Sequence, residues 1–176
     1  MKKILLMGLT ILVIGLCGNL NSAEFKPGSE PDGFRGIKWG TDISTLSDME
    51  YSWTDPSCGG TKAYHRKSDD LHLGAAKLKE ICYYFWREKF CNVYVLTEDY
   101  VYWAGLKKTV FEKFGRGSQN NKYIEFYVWW SDITTMTLGY NEISEKGELF
   151  MFSKEISKQQ EAYDKQKAKE GAEKGF

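Results

Sequence analysis

The sequence predicts an α+β domain: an antiparallel sheet with helices packed mainly on one face. Three observations lead there. Apolar residues recur at helical spacing over 98–114, where Trp103, Leu106, Val110 and Phe114 fall on one side. Elsewhere, β-branched and aromatic residues come in short runs broken by polar or turn-forming residues. No β-α-β alternation recurs regularly, so nothing in the pattern calls for a parallel sheet.

In chain order, Lys2 and Lys3 precede an uncharged apolar run at residues 4–16, followed by "NSA". That order predicts a secretory signal peptide over residues 1–23. The apolar run is shorter than the roughly 20 residues that a membrane-spanning helix requires, so no transmembrane helix is expected in the mature chain. The expected location is the periplasm or the cell exterior. Cys17 offers an alternative, a lipid anchor, but Leu16 stands where a lipobox places a small residue.

Residues 24–32, "EFKPGSEPD", combine two prolines, a glycine and charges, and predict a flexible leader. A single α+β domain is expected over 33–155. Phe34, Ile37 and Trp39, separated by Gly36 and Gly40, read as a short extended piece, and Thr41 as the cap of a helix at 42–49 that presents Ile43, Leu46 and Met49. "TDPSCGG" at 54–60 then forms a turn. Three or four antiparallel strands follow. With Arg87, Glu88 and Lys89 as a loop, Ile81, Tyr83 and Phe85 share a face with Cys91, Val93 and Val95.

Thr97 stands as a cap before the 98–114 helix, which Gly115 stops. "KYIEFYVWW", "ITTMTLGYN" and "ELFMFS" read as three further strands, with "SEKG" at 144–147 turning the last hairpin. The charged tail at 156–176 reads as a helix whose end frays. The helix at 42–49 and the helix at 98–114, each with its strands, also suggest two degenerate halves.

Composition narrows the function. Lys plus Arg and Asp plus Glu both number 24, and loss of Lys2 and Lys3 with the signal peptide leaves a slightly acidic chain. That is not the footprint of a nucleic-acid binder. The mature chain would keep Cys58, Cys82 and Cys91, an odd number in an oxidising compartment, so at most one internal disulfide can form. With His65 and His72 as the histidines and no cysteine near either in sequence, the spacing argues against a zinc site, and no cofactor is expected. Nothing orders a Cys-His pair for catalysis. Asp69 with Asp70, and Glu98 with Asp99, have local explanations as a turn and a helix N-terminus. GxSxG, HExxH, phosphate-loop and EF-hand spacings are all missing from the sequence.

The densest chemical feature is aromatic, "YYFW" at 83–86 and "YVWW" at 127–130. Alternation sends half of each run outward. Tyr127 and Trp129 form the candidate ligand-binding pair, with Glu125 on the same face; the competing reading keeps these rings in the core.

The run "GFRGIKWGTDISTLSDM", the "FEKFG" helix end at 111–115 and "KGELFM" resemble small exported proteins of Gram-negative bacteria with no assigned function, over about residues 33–155. The layout is also loosely similar to the tandem helix-plus-sheet fold of beta-lactamase inhibitor proteins. That likeness is architectural and carries no functional residue to any position. The expected function is a non-catalytic envelope or periplasmic module that binds a protein, peptide or glycan; the alternative is a hydrolase with an unidentified active site.

Overall fold

Glycine and proline punctuate residues 23–48, so little regular structure forms there before the first long strand. The computed structural model describes residues 23–175. The predicted signal peptide, apart from Ala23, lies outside the described residues, as does Cys17. Two short strands, β1 (Gly33–Phe34) and β2 (Ile37–Lys38), make a first hairpin whose turn, Arg35 and Gly36, has positive φ at both positions. Then come β3 (Met49–Asp55), β4 (Thr61–Arg66), a small hairpin of β5 (His72–Leu73) and β6 (Ala76–Lys77), β7 (Glu80–Trp86) and β8 (Lys89–Glu98). Helix α1 (Tyr100–Phe114) is followed by β9 (Phe126–Trp130), β10 (Thr134–Asn141), β11 (Lys146–Ser153) and helix α2 (Lys154–Gly175).

The fold is α+β. Seven strands form one antiparallel sheet in the order β3-β4-β7-β8-β11-β10-β9. Along each strand, alternate residues point to opposite faces. One face carries Tyr83, Val93, Met151, Met136 and Trp129, with Ile81, Val95, Leu149, Leu138 and Tyr127 in the next row. These pack against Trp103, Leu106, Val110 and Phe114 of α1, the four positions that helical spacing selects, and against Ile37, Ala76 and Leu78 from the small hairpins.

The helix expected at 42–49 is not formed. Asp42 instead accepts hydrogen bonds from the Ser44 N–H and hydroxyl, at 2.9 and 2.7 Å, and closes a single 3-10 turn at Ile43–Thr45. The backbone finds better partners on the β7–β8 hairpin: the Gly40 N–H donates to the Phe90 carbonyl and the Ile43 N–H to the Glu88 carbonyl. Eight residues are too few for an isolated helix to compete with such bonds. Ile43, Leu46 and Met49 still pack on the core, Met49 as the first residue of β3. The helix-plus-strands echo between the halves is therefore absent.

The leader, expected to be flexible, is packed. Phe25 is buried edge-on against Phe114, with ring centroids 5.8 Å apart, and the Lys26 N–H donates to the Phe114 carbonyl. At its other end the Thr134 hydroxyl donates to the Pro31 carbonyl at 2.6 Å. A buried ring and hydrogen bonds at both ends thus anchor a proline-containing stretch whose composition predicted flexibility.

The β7–β8 hairpin turns through two residues, Arg87 and Glu88, both at positive φ, rather than the three expected. A bulge between Tyr84 and Phe85 adds the missing step, so Tyr83 opposite Val93 and Ile81 opposite Val95 keep the expected faces. Phe90 takes the place expected for Cys91, which turns to the opposite face and packs with Trp86 and Ile156. Helix α1 begins at Tyr100; Thr97 is buried in β8 and donates to the Gly147 carbonyl rather than capping the helix. Helix α2 rests on the face opposite α1, through Ile156 and Tyr163 against Trp86.

Candidate functional site

Because α1 and the two small hairpins cover one face of the sheet, the parity of each strand decides which side chains remain outside. Tyr127 and Trp129, the pair selected from sequence, point inward. Trp129 is fully buried, its indole N–H donating to the Gly115 carbonyl at 3.1 Å, and Tyr127 is 3% exposed. Glu125 does lie with them: one carboxylate oxygen accepts from the Tyr127 hydroxyl at 2.9 Å and from Lys107 of α1 at 2.8 Å. Their intervening neighbours form the outward set, with Phe126 40% and Trp130 42% exposed.

The outward face is ordered into rows by the register. One runs across all seven strands: Trp130, Thr135, Phe152, Asn92, Tyr84, Ala63 and Trp53. The next begins Val128, Thr137, Phe150, Tyr94 and Cys82; a third runs Phe126, Gly139, Glu148, Leu96 and Glu80. Helix α2 crosses only the corner near Trp86 and the turn at Ser57–Gly59. Tyr84 borders the α2 cluster, while Tyr94, Phe150 and Phe152 are left half-buried with no helix packed on them among the described residues.

Within this face lies a groove of about 380 Å³. Thr137 and Gly139 form its floor; Tyr94, Phe126 and Phe150 contribute rings, and Glu148 a carboxylate. Gly139 keeps the floor low, since a Cβ there would stand 3.1 Å from the Phe126 ring. The Tyr94 hydroxyl donates to Glu148 at 2.7 Å, and burial together with that carboxylate pushes its pKa well above the usual tyrosine value. Neutral at any ordinary pH, Tyr94 presents a fixed ring edge. Around the groove, Tyr123, Ile124, Trp130 and Ile133 add exposed apolar surface along the β9 edge.

Cys58, Cys82 and Cys91, the cysteines among the described residues, are free thiols. Burial raises all three, Cys58 and Cys82 to about 11 and Cys91 to about 12. Protonated thiols of this kind are poor nucleophiles near neutral pH. Cys58 donates to Asp164 of α2 at 3.0 Å, and Cys91 to the Tyr84 carbonyl at 3.2 Å. His72 pairs with Asp70 on the surface at 2.8 Å. His65 is different: although distant in sequence from any cysteine, its ring stands with Glu80 and Cys82, and their ligand-type atoms lie within 4.8 Å of one another. Spacing along the chain misses this cluster, which arises only when β4 pairs with β7. Comparison with known family models, with characterised proteins and with solved structures gives no match to this chain.

Proposed function

We propose that this protein is an exported, non-catalytic binding module of the envelope or periplasm whose open sheet face docks an extended segment of a partner protein or peptide. The carrying observation is the uncovered aromatic face. A sheet that packs one face on a helix normally sends polar residues to the other; here that face holds Trp130, Phe152, Tyr84, Phe150, Tyr94 and Phe126. Contiguous apolar surface of this kind, exposed at Phe126 and Trp130 and half-buried between them, marks interaction sites. An extended chain crossing the sheet turns every second side chain toward it, and the groove over Gly139 receives one of them. The apolar residues Tyr123, Ile124 and Ile133 extend the surface beyond the groove, which favours a macromolecular partner over a small ligand.

Placing a photocrosslinking residue at Thr137, in the groove, and separately at Lys108, on the exposed side of α1, tests the reading in intact cells. A protein adduct from position 137, absent from position 108 and lost when Phe126 and Phe150 are both changed to Ala, supports it. Equal adducts from both positions, no adduct, or retention on immobilised glycans in place of a protein adduct would overturn it.

A further inference from the structure

We propose that His65, Glu80 and Cys82 form a binding site for a divalent transition cation, with zinc the best match to the donor set. Imidazole, carboxylate and thiolate are the three ligand types that zinc takes, and three protein ligands with a free fourth position is the arrangement of an open site. The donor atoms already lie within 4.8 Å of one another. His65 Nε2 is 3.6 Å from a Glu80 oxygen, close to the separation of about 3.3–3.7 Å that zinc bond lengths impose on neighbouring tetrahedral ligands.

The surroundings match as well. His65 Nδ1 is 3.0 Å from the Ile81 carbonyl. A carbonyl only accepts, so Nδ1 donates to it and Nε2, facing Glu80 and Cys82, is the nitrogen placed to bind a metal; the outer hydrogen bond is typical of a metal-bound histidine. The nearby lysines are engaged elsewhere, Lys79 with Glu98 at 3.4 Å and Lys67 with Glu50 at 4.0 Å. On binding, the Cys82 S–H bond breaks, its proton leaves to solvent and the sulfur bonds the metal, with no change of oxidation state. The dication then balances the thiolate and the Glu80 carboxylate, so the buried side of the site carries no net charge. His65 and Glu80 are each part-exposed, which leaves the fourth position to water on the open face.

Calorimetric titration of the purified chain with Zn²⁺, and absorption spectra with Co²⁺, test this independently of any partner. One ion per chain is expected, with a thiolate-to-cobalt charge-transfer band. Cys82→Ser and His65→Ala should each weaken binding by about 100-fold or more, since loss of an outer hydrogen-bond partner alone costs about 10–100-fold, while Cys58→Ser leaves it unchanged. The cobalt band reads the sulfur in the unaltered chain, so a poorly folding Cys82 variant does not blunt the test. Absence of saturable binding, a saturated cobalt complex without the charge-transfer band, or affinity unchanged in folded His65→Ala would overturn the proposal.

Discussion

Trp129 and Trp130 are adjacent in sequence and opposite in environment. Trp129→Ala should destabilise the protein by about 3–5 kcal/mol, because it empties a fully buried site and breaks the bond to Gly115. Trp130→Ala should shift stability by about 0.5 kcal/mol or less and weaken partner capture. Chemical unfolding of both variants checks the assignment; equal losses would refute it. The alternation was legible in "FYVWW", but its phase was not, since only the position of α1, remote in sequence, decides which half faces inward. The His65, Glu80 and Cys82 cluster was hidden for a related reason: a cross-strand register, not a local spacing, creates it. Asp42 gives a pH-dependent prediction at the same scale. Hydrogen bonds from Ser44, then Lys89, hold its carboxyl at about 2, against an ordinary value of 3.8. A folded pKa below the unfolded one gives stability that is present above 3.8 and lost as pH falls through about 2. An NMR titration of the Asp42 carboxyl should show this low midpoint, and one near 3.8 would mean the Ser44 turn does not persist in solution.

Elements with a strong local signal formed where the pattern placed them, and those depending on neighbours did not. In α1, Trp103, Leu106, Val110 and Phe114 are all buried. Leu106→Ala should cost about 2–5 kcal/mol, measured by denaturant unfolding, and a change near zero would mean the helix does not seat on the sheet. The segment 42–49 carries a similar apolar spacing, yet hydrogen bonds from Gly40 and Ile43 to the β7–β8 hairpin outcompete so short a helix. Helix α2 has little apolar surface, burying Ile156 and resting Tyr163 on Trp86. Arg87 links them, its guanidinium 4.4 Å from the Trp86 ring and 5.0 Å from Tyr163. Cation–π contacts at part-exposed sites contribute about 0.5–1 kcal/mol each. Arg87→Ala should therefore speed amide exchange in α2 several-fold while the strands keep their protection. Loss of protection throughout the sheet would show that Arg87 acts through the turn instead.

At the scale of the whole molecule, the sheet is closed by segments far apart in sequence, and the leader is one of them. Its prolines and charges predicted a flexible leader, and composition could not show that Phe25 fills the space beside Phe114. The leader spans two sides of the domain. The Lys26 N–H bonds the end of α1, the Pro31 carbonyl accepts from Thr134 in β10, and the Asp32 carbonyl accepts from the Trp39 N–H. Trp39 in turn donates to Thr134 at 2.7 Å and packs on Phe90 at 4.8 Å, so the leader, β10 and the β7–β8 hairpin share one network. A chain beginning at Gly33 should lose about 3 kcal/mol or more, the usual effect of removing a buried phenylalanine, plus the bonds to α1 and β10. Phe25→Ala alone should reproduce most of that loss, and Lys26→Ala, which keeps the backbone N–H, almost none of it. Equal stability of the chains beginning at Ala23 and at Gly33 in urea unfolding would show that the leader only lies along the domain. A truncated chain that unfolds cooperatively but earlier would establish residues 23–32 as part of the fold.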